Sequence, residues 1–247
     1  MSIWRYANPA EFMRITRPAV GPLWIASAVL IALALGWGLF LTPEAEYFGS
    51  TVKIIFVHVP SAMLAINTYL LMVVASAIGF VRRHHVSFLI AKAAAPIGAC
   101  FTLIAIITGA VWGQPMWGAW WVWDARLTAI LVMFFFYLGY IALWAAIEEP
   151  EKAADLTAVL CFVGVIFALL SRYAVVEVFG VKVVDFQTQH QGASLSVNPG
   201  QRVADVYRTP LYLSILAFYV LFFALLISRT RMEIRTRRAR AISLARA

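Results

Sequence analysis

The sequence predicts an all-α polytopic membrane protein: six transmembrane helices, both termini in the cytoplasm, and a short amphipathic helix at the outer, periplasmic face. Three observations carry this expectation. Of 247 residues, 63% are hydrophobic and only 13% are charged, a balance foreign to soluble domains. The charges cluster, leaving apolar runs long enough for the roughly 20 residues a helix needs to cross a bilayer. Lysine and arginine also fall unequally on alternate connections. In lipid only a helix or a closed barrel satisfies its own backbone. These runs are too long and too uniformly apolar for barrel strands, which alternate.

The spans follow in order. No charge occurs between Arg17 and Glu44, which gives a first span at residues 19–41. This run begins late, exceeds a signal h-region and lacks a small-x-small cleavage site, so a removable leader is not expected. The run from Lys53 to Arg82 gives a second span at 54–81, with Pro60 suited to an early helical position. Lys92 to Asp124 gives a third at 93–112, and Arg126 to Glu148 a fourth at 127–147. The fifth, 156–176, holds Arg172, expected near its outer end where the side chain can snorkel. Arg208 to Arg229 gives the sixth, at 209–228. Connections are short, so residues 1–247 read as one six-helix domain.

Orientation follows from the basic residues. One side carries fourteen, seven of them between Arg229 and Arg246, and the other carries five. The bias puts both termini inside. The arginine-rich tail is read as lying beside anionic lipid headgroups and not as a nucleic-acid arm.

Three segments then face outward: residues 42–53, 113–126 and 177–208. The neighbours His84 and His85 fall on the inner side and read as solvated. His58 and His190 fall on the outer side. Cys100 and Cys161 lie inside spans, with no CxxC or CxxCH, and read as core hydrophobes.

The second outer segment, "WGQPMWGAWWVWDARLT", holds five of the nine tryptophans within twelve residues. Interfacial belts explain one or two per helix end. A short helix from Pro115 puts Trp117, Trp120, Trp121 and Asp124 at i, i+3, i+4 and i+7, on one face. That face either rests in lipid or presents an apolar platform to a flat ligand. Arg126 follows, and arginine pairs carboxylates. Haem combines a flat ring, two propionates and an iron that accepts two imidazoles, and all three residue classes occur on this side.

The string "WGAWWVWDARLT" resembles the WWD motif of haem-handling membrane proteins of cytochrome c maturation. With "VHVPSA" and "HQGAS", the whole chain is similar to the CcmC family. The resemblance implies haem b bound non-covalently at the periplasmic face of the inner membrane. It implies His58 and His190 as the axial iron ligands, with Trp117, Trp120, Trp121, Trp123, Asp124 and Arg126 forming the rest of the haem site. It further implies transfer to a CcmE-type periplasmic haem chaperone, beside the CcmA/CcmB ABC transporter and the small subunit CcmD. Before His190 the family often carries an aromatic pair, and here only Phe186 stands in "VVDFQTQHQG". No nucleophile, acid–base pair or P-loop occurs, so a binding and transfer protein is expected, not an enzyme. The rival readings are a haem lyase, whose members are larger with more histidines, and a permease subunit of a haem exporter.

Overall fold

A computed structural model describes residues 8–178, 181–185, 188 and 203–245. Among them six helices are long and apolar enough to cross a membrane, each containing one of the expected spans or nearly all of it. Helix α1 (Pro9–Gly36) starts at Asn8, whose side chain accepts from the Ala10 N–H at 2.9 Å. It ends in a π-helical turn, Trp37–Leu41. The loosened carbonyls there find partners: Thr42 donates to Gly38 O at 2.6 Å and Lys53 Nζ to Leu39 O at 2.9 Å. Gly38 is required, because a Cβ there meets the Phe56 ring at 2.6 Å. The end of α1 is thereby pinned two residues before His58.

A 3-10 turn, Ser50–Ile54, leads into α2 (Ile55–Arg82), followed by α3 (His85–Trp117), α4 (Ala125–Ala146) and α5 (Pro150–Tyr173). Helix α2 packs along α3, α4 against α5, and α1 against α6 (Asp205–Leu244). Small residues permit these approaches. Gly98 makes room for the Tyr137 ring, and Gly164 for Tyr69 and Phe136. Tyr137 in turn donates to Ala65 O at 2.7 Å and meets Tyr69 edge-on, with ring centroids 5.0 Å apart. A second cluster of Val52, Phe56, Tyr207 and Leu211, with Trp112 packed on it, gathers the starts of α2 and α6 and the end of α3 at one end of the bundle.

Several helices run past the expected spans, because their charges are partnered within the protein. Helix α3 begins seven residues before Lys92. Lys92 bridges Glu233 at 2.8 Å and lies 4.9 Å over the Trp144 ring. Helix α6 has 40 residues, about 60 Å at 1.5 Å per residue, twice the hydrocarbon thickness. Its basic continuation does not simply face headgroups. Arg231 is buried against α1, donating to Met13 O at 2.6 Å and to Thr16 Oγ1 at 2.7 Å. After α5 comes an antiparallel hairpin, β1 (Val175–Val178) and β2 (Val181–Asp185), not foreseen in the sequence. The fifth span therefore stops at Tyr173, short of the expected 176.

His84 also departs from expectation. It is buried and caps α3: its Nδ1 accepts from the Ser87 N–H at 3.1 Å and lies 2.9 Å from Ser87 Oγ. Burial lowers its pKa below the ordinary 6.5, as a cap that needs a bare nitrogen also requires. Below pH 6.5 the unfolded chain therefore binds the proton first. The stabilisation is full above that pH and is lost as pH falls through the lowered folded-state value. The thermal midpoint in detergent should drop between pH 7.5 and 5.5 more steeply in the parent than in His84→Asn, a cap that does not titrate, within a cap contribution of about 1 kcal/mol. Equal slopes would remove His84 from the pH response.

Candidate haem site

At the end of the bundle where α2 begins and α3 ends, a cavity of about 340 Å³ opens between α2, α3, α4 and α5. This lies within the roughly 300–1,000 Å³ range of small-molecule sites. Its polar and aromatic lining includes His58, Trp112, Trp117, Trp121, Arg126 and Arg172, and no acid lines it among the described residues. Ala62, Met63 and Ile66 of α2 and Leu127 and Ile130 of α4 supply apolar walls.

His58 is seated by α3. Its Nδ1 lies 3.0 Å from Thr108 Oγ1, and Thr108 donates to Ile104 O at 2.6 Å. A hydroxyl that donates its only proton to a carbonyl accepts from the imidazole. The network thus assigns the proton to Nδ1 and the lone pair to Nε2, the tautomer of a metal-ligating histidine. Gly109 gives the ring its space, since a Cβ there stands 3.1 Å from His58 Cε1. Pro60 occupies the sixth position of α2, not the first turn. His58 is the fourth residue of α2, close to where that helix begins.

The tryptophan segment does not form a helix of its own. Pro115 lies in the last turn of α3. Gly118, with φ of 71°, ends α3 in a left-handed cap, its N–H donating to Gln114 O at 2.9 Å. Asp124 is already the extended cap residue of α4, so too few residues remain between the two caps for the expected amphipathic helix. The four positions counted at helical spacing therefore do not share a face. Trp117 folds back over Gly113, where a Cβ meets its ring at 2.8 Å, and lines the cavity with Trp121. Trp120 and Trp123 are 62% and 77% exposed and do not line it. Trp123 meets Trp121 edge-on at 5.8 Å.

Asp124 is also outside the lining and holds two chain segments together. One oxygen accepts from the Leu127 N–H at 2.8 Å, capping α4 and fixing Arg126 in its first turn. The other accepts from Thr188 Oγ1 at 2.7 Å, in the third outer connection. His190 lies outside the described residues. Sequence reasoning singled out neither Thr108 nor Gly109, although a Thr–Gly pair within an apolar run is the trace they leave. It set Arg172 aside as a snorkelling residue, yet the structure brings it to the cavity.

The family described as CcmC, heme exporter protein C, matches residues 2–245. The heme exporter protein C of Paracoccus denitrificans is 60% identical over 245 residues, covering 98% of this chain and 97% of that protein. That of Rhodobacter capsulatus is 57% identical over 246 residues, with 98% and 97% covered. That of Escherichia coli K12 is 39% identical over 210 residues, with 84% and 81% covered.

Proposed function

The chain belongs to the CcmC, or heme exporter protein C, family, and on that premise we propose that it holds haem b non-covalently at the periplasmic face of the inner membrane and passes it to a CcmE-type chaperone. Both termini then lie in the cytoplasm, and the haem is cargo, neither a resident group nor the object of a catalysed reaction. The observation that carries this reading is the cavity itself. A histidine whose Nδ1 is hydrogen-bonded to Thr108, three indoles and two guanidinium groups line one space that no acid lines among the described residues. This is the donor set an iron porphyrin with two propionates requires.

His58 is the ligand on one face of the ring, and His190, two positions after Thr188 in the sequence, the ligand on the other. Trp117 and Trp121 give flat apolar contact to the macrocycle. Arg126 answers a propionate, and Asp124 orients both. Exposed Trp120 and Trp123 form the surface on which the acceptor docks, as solvent-facing tryptophans do at interaction hot spots. The CcmA/CcmB transporter and CcmD act beside this subunit.

The test separates holding from handing over. Haem-loaded parent, Trp120→Ala and Trp123→Ala proteins are mixed with the periplasmic acceptor, and haem is followed in both by visible absorption. The two variants should keep the parent's spectrum and deliver haem at least about tenfold more slowly. Transfer at the parental rate by both removes the docking role. A parent that never takes up haem ends the whole reading.

A further inference from the structure

Asn67 is the polar residue of the cavity lining that the proposed function leaves unused. It lies on α2 nine positions beyond His58, about 13.5 Å at 1.5 Å per residue. That is close to half of the roughly 30 Å hydrocarbon thickness, so the cavity runs from the outer boundary toward the middle of the bilayer. Its lining changes on the way. His58, Trp112 and Arg126 stand at the outer end, while Met63, Ile66 and Ile106 accompany Asn67 at the inner end.

Asn67 is also exposed. The exposed Val74, Ile78 and Val81 follow it by 7, 11 and 14 positions, the spacing of one helical face. Its amide donates to the Tyr219 hydroxyl of α6. Tyr219 stands between the exposed Leu216 and Phe223, three positions after one and four before the other. Both partners therefore belong to stripes that face lipid, at the seam between α2 and α6. A polar bond across two membrane helices is a common adhesive, and that accounts for the pair. It does not account for an exposed amide that also lines the cavity.

An amphiphile in a bilayer keeps its charged groups at the headgroup level and its apolar body among the chains. The cavity repeats that gradient at the same depths. A flat ligand with carboxylates on one edge passes from such a bilayer into such a cavity by moving sideways, without turning over and without giving its ring to water. We propose that the cavity opens to the bilayer beside Asn67, at the seam of α2 and α6, and that haem loads through this opening from the lipid, displacing an acyl chain. This rests on the haem reading above and adds to it the side of entry.

The full-length chain in phosphatidylcholine nanodiscs, with a diazirine in the middle of the acyl chain, is irradiated with and without haem. Mass spectrometry locates the label, and the visible spectrum reports haem uptake. Without haem, label should fall on residues 62–67 as well as on Val74 and Val81. With haem at ten times its Kd, about nine-tenths of the cavities are filled. Label at 62–67 should then fall at least about threefold, and label at Val74 and Val81 should stay as it was. Asn67→Phe, which narrows the opening, should slow haem uptake from preloaded vesicles about tenfold. Asn67→Leu, which breaks the bond to Tyr219 at similar size, should load at close to the parental rate. No label at 62–67, with Val74 and Val81 labelled, overturns the proposal. Label that bound haem fails to reduce overturns it too, as does equal slowing in Asn67→Leu and Asn67→Phe. A parent that takes up no haem refutes the haem reading, and this inference with it.

Discussion

His58→Ala protein should lose the low-spin haem spectrum, and His190→Ala should lose it as well, leaving at most a high-spin species held by one ligand and the cavity walls. The effect is large because no second imidazole lines the cavity among the described residues; the Met63 thioether is a different class of ligand, and the other polar groups are indoles, guanidinium groups, an amide and a hydroxyl. The structure sharpens this test with Thr108. If the Nδ1–H donation to Thr108 sets the tautomer of His58, Thr108→Val removes the acceptor and leaves the ring free to turn. Loss of such an outer partner lowers metal affinity about 10–100-fold, an intermediate result between parent and His58→Ala. Haem retention during purification and the reduced visible spectrum report all three variants. An unchanged low-spin spectrum in both histidine variants sinks the ligand assignment.

The six spans were legible because their cause is local and strong: about 20 apolar residues in a row leave a chain few alternatives. Their ends were legible only where charges mark solvent. Lys92 and Arg231 lie inside helices because Glu233, Met13 and Thr16 receive them, and those partners come from distant parts of the chain. The site divides the same way. His58, Trp117, Trp121 and Arg126 announce themselves by residue type, and the fold brings all four to one cavity. The helix drawn through the tryptophans failed because periodicity does not register one glycine at positive φ, which is enough to end α3. Trp120 and Trp123 consequently separate from the three indoles of the lining. Thr108 and Gly109 matter only through a neighbouring helix. Arg172 reaches the lining only because α5 packs against α4 at this end of the bundle.

Asp124→Ala should be the most damaging change in the tryptophan segment, although Asp124 does not line the cavity. One carboxylate joins the start of α4 to the connection that carries His190, through Leu127 N at 2.8 Å and Thr188 Oγ1 at 2.7 Å. Losing the cap costs about 1 kcal/mol of local stability and loosens the turn that presents Arg126. Losing the tether removes a charge-assisted hydrogen bond of about 1.5–3 kcal/mol at Thr188, two positions before His190, the proposed second ligand. Two milder variants separate these contributions. Asparagine caps as well as aspartate and its amide N–H donates to a hydroxyl oxygen, so Asp124→Asn keeps the cap and exchanges the charge-assisted tether for a weaker neutral one. Thr188→Val gives up the tether and leaves the cap. Haem affinity should fall roughly tenfold in Thr188→Val, less in Asp124→Asn, and further in Asp124→Ala. If Thr188→Val binds like the parent while Asp124→Ala does not, the aspartate acts through α4 only. The third connection must then find its place by contacts of its own. The tryptophans supply the surface of this segment, but a carboxylate shared between the start of α4 and Thr188 ties that surface to the third connection.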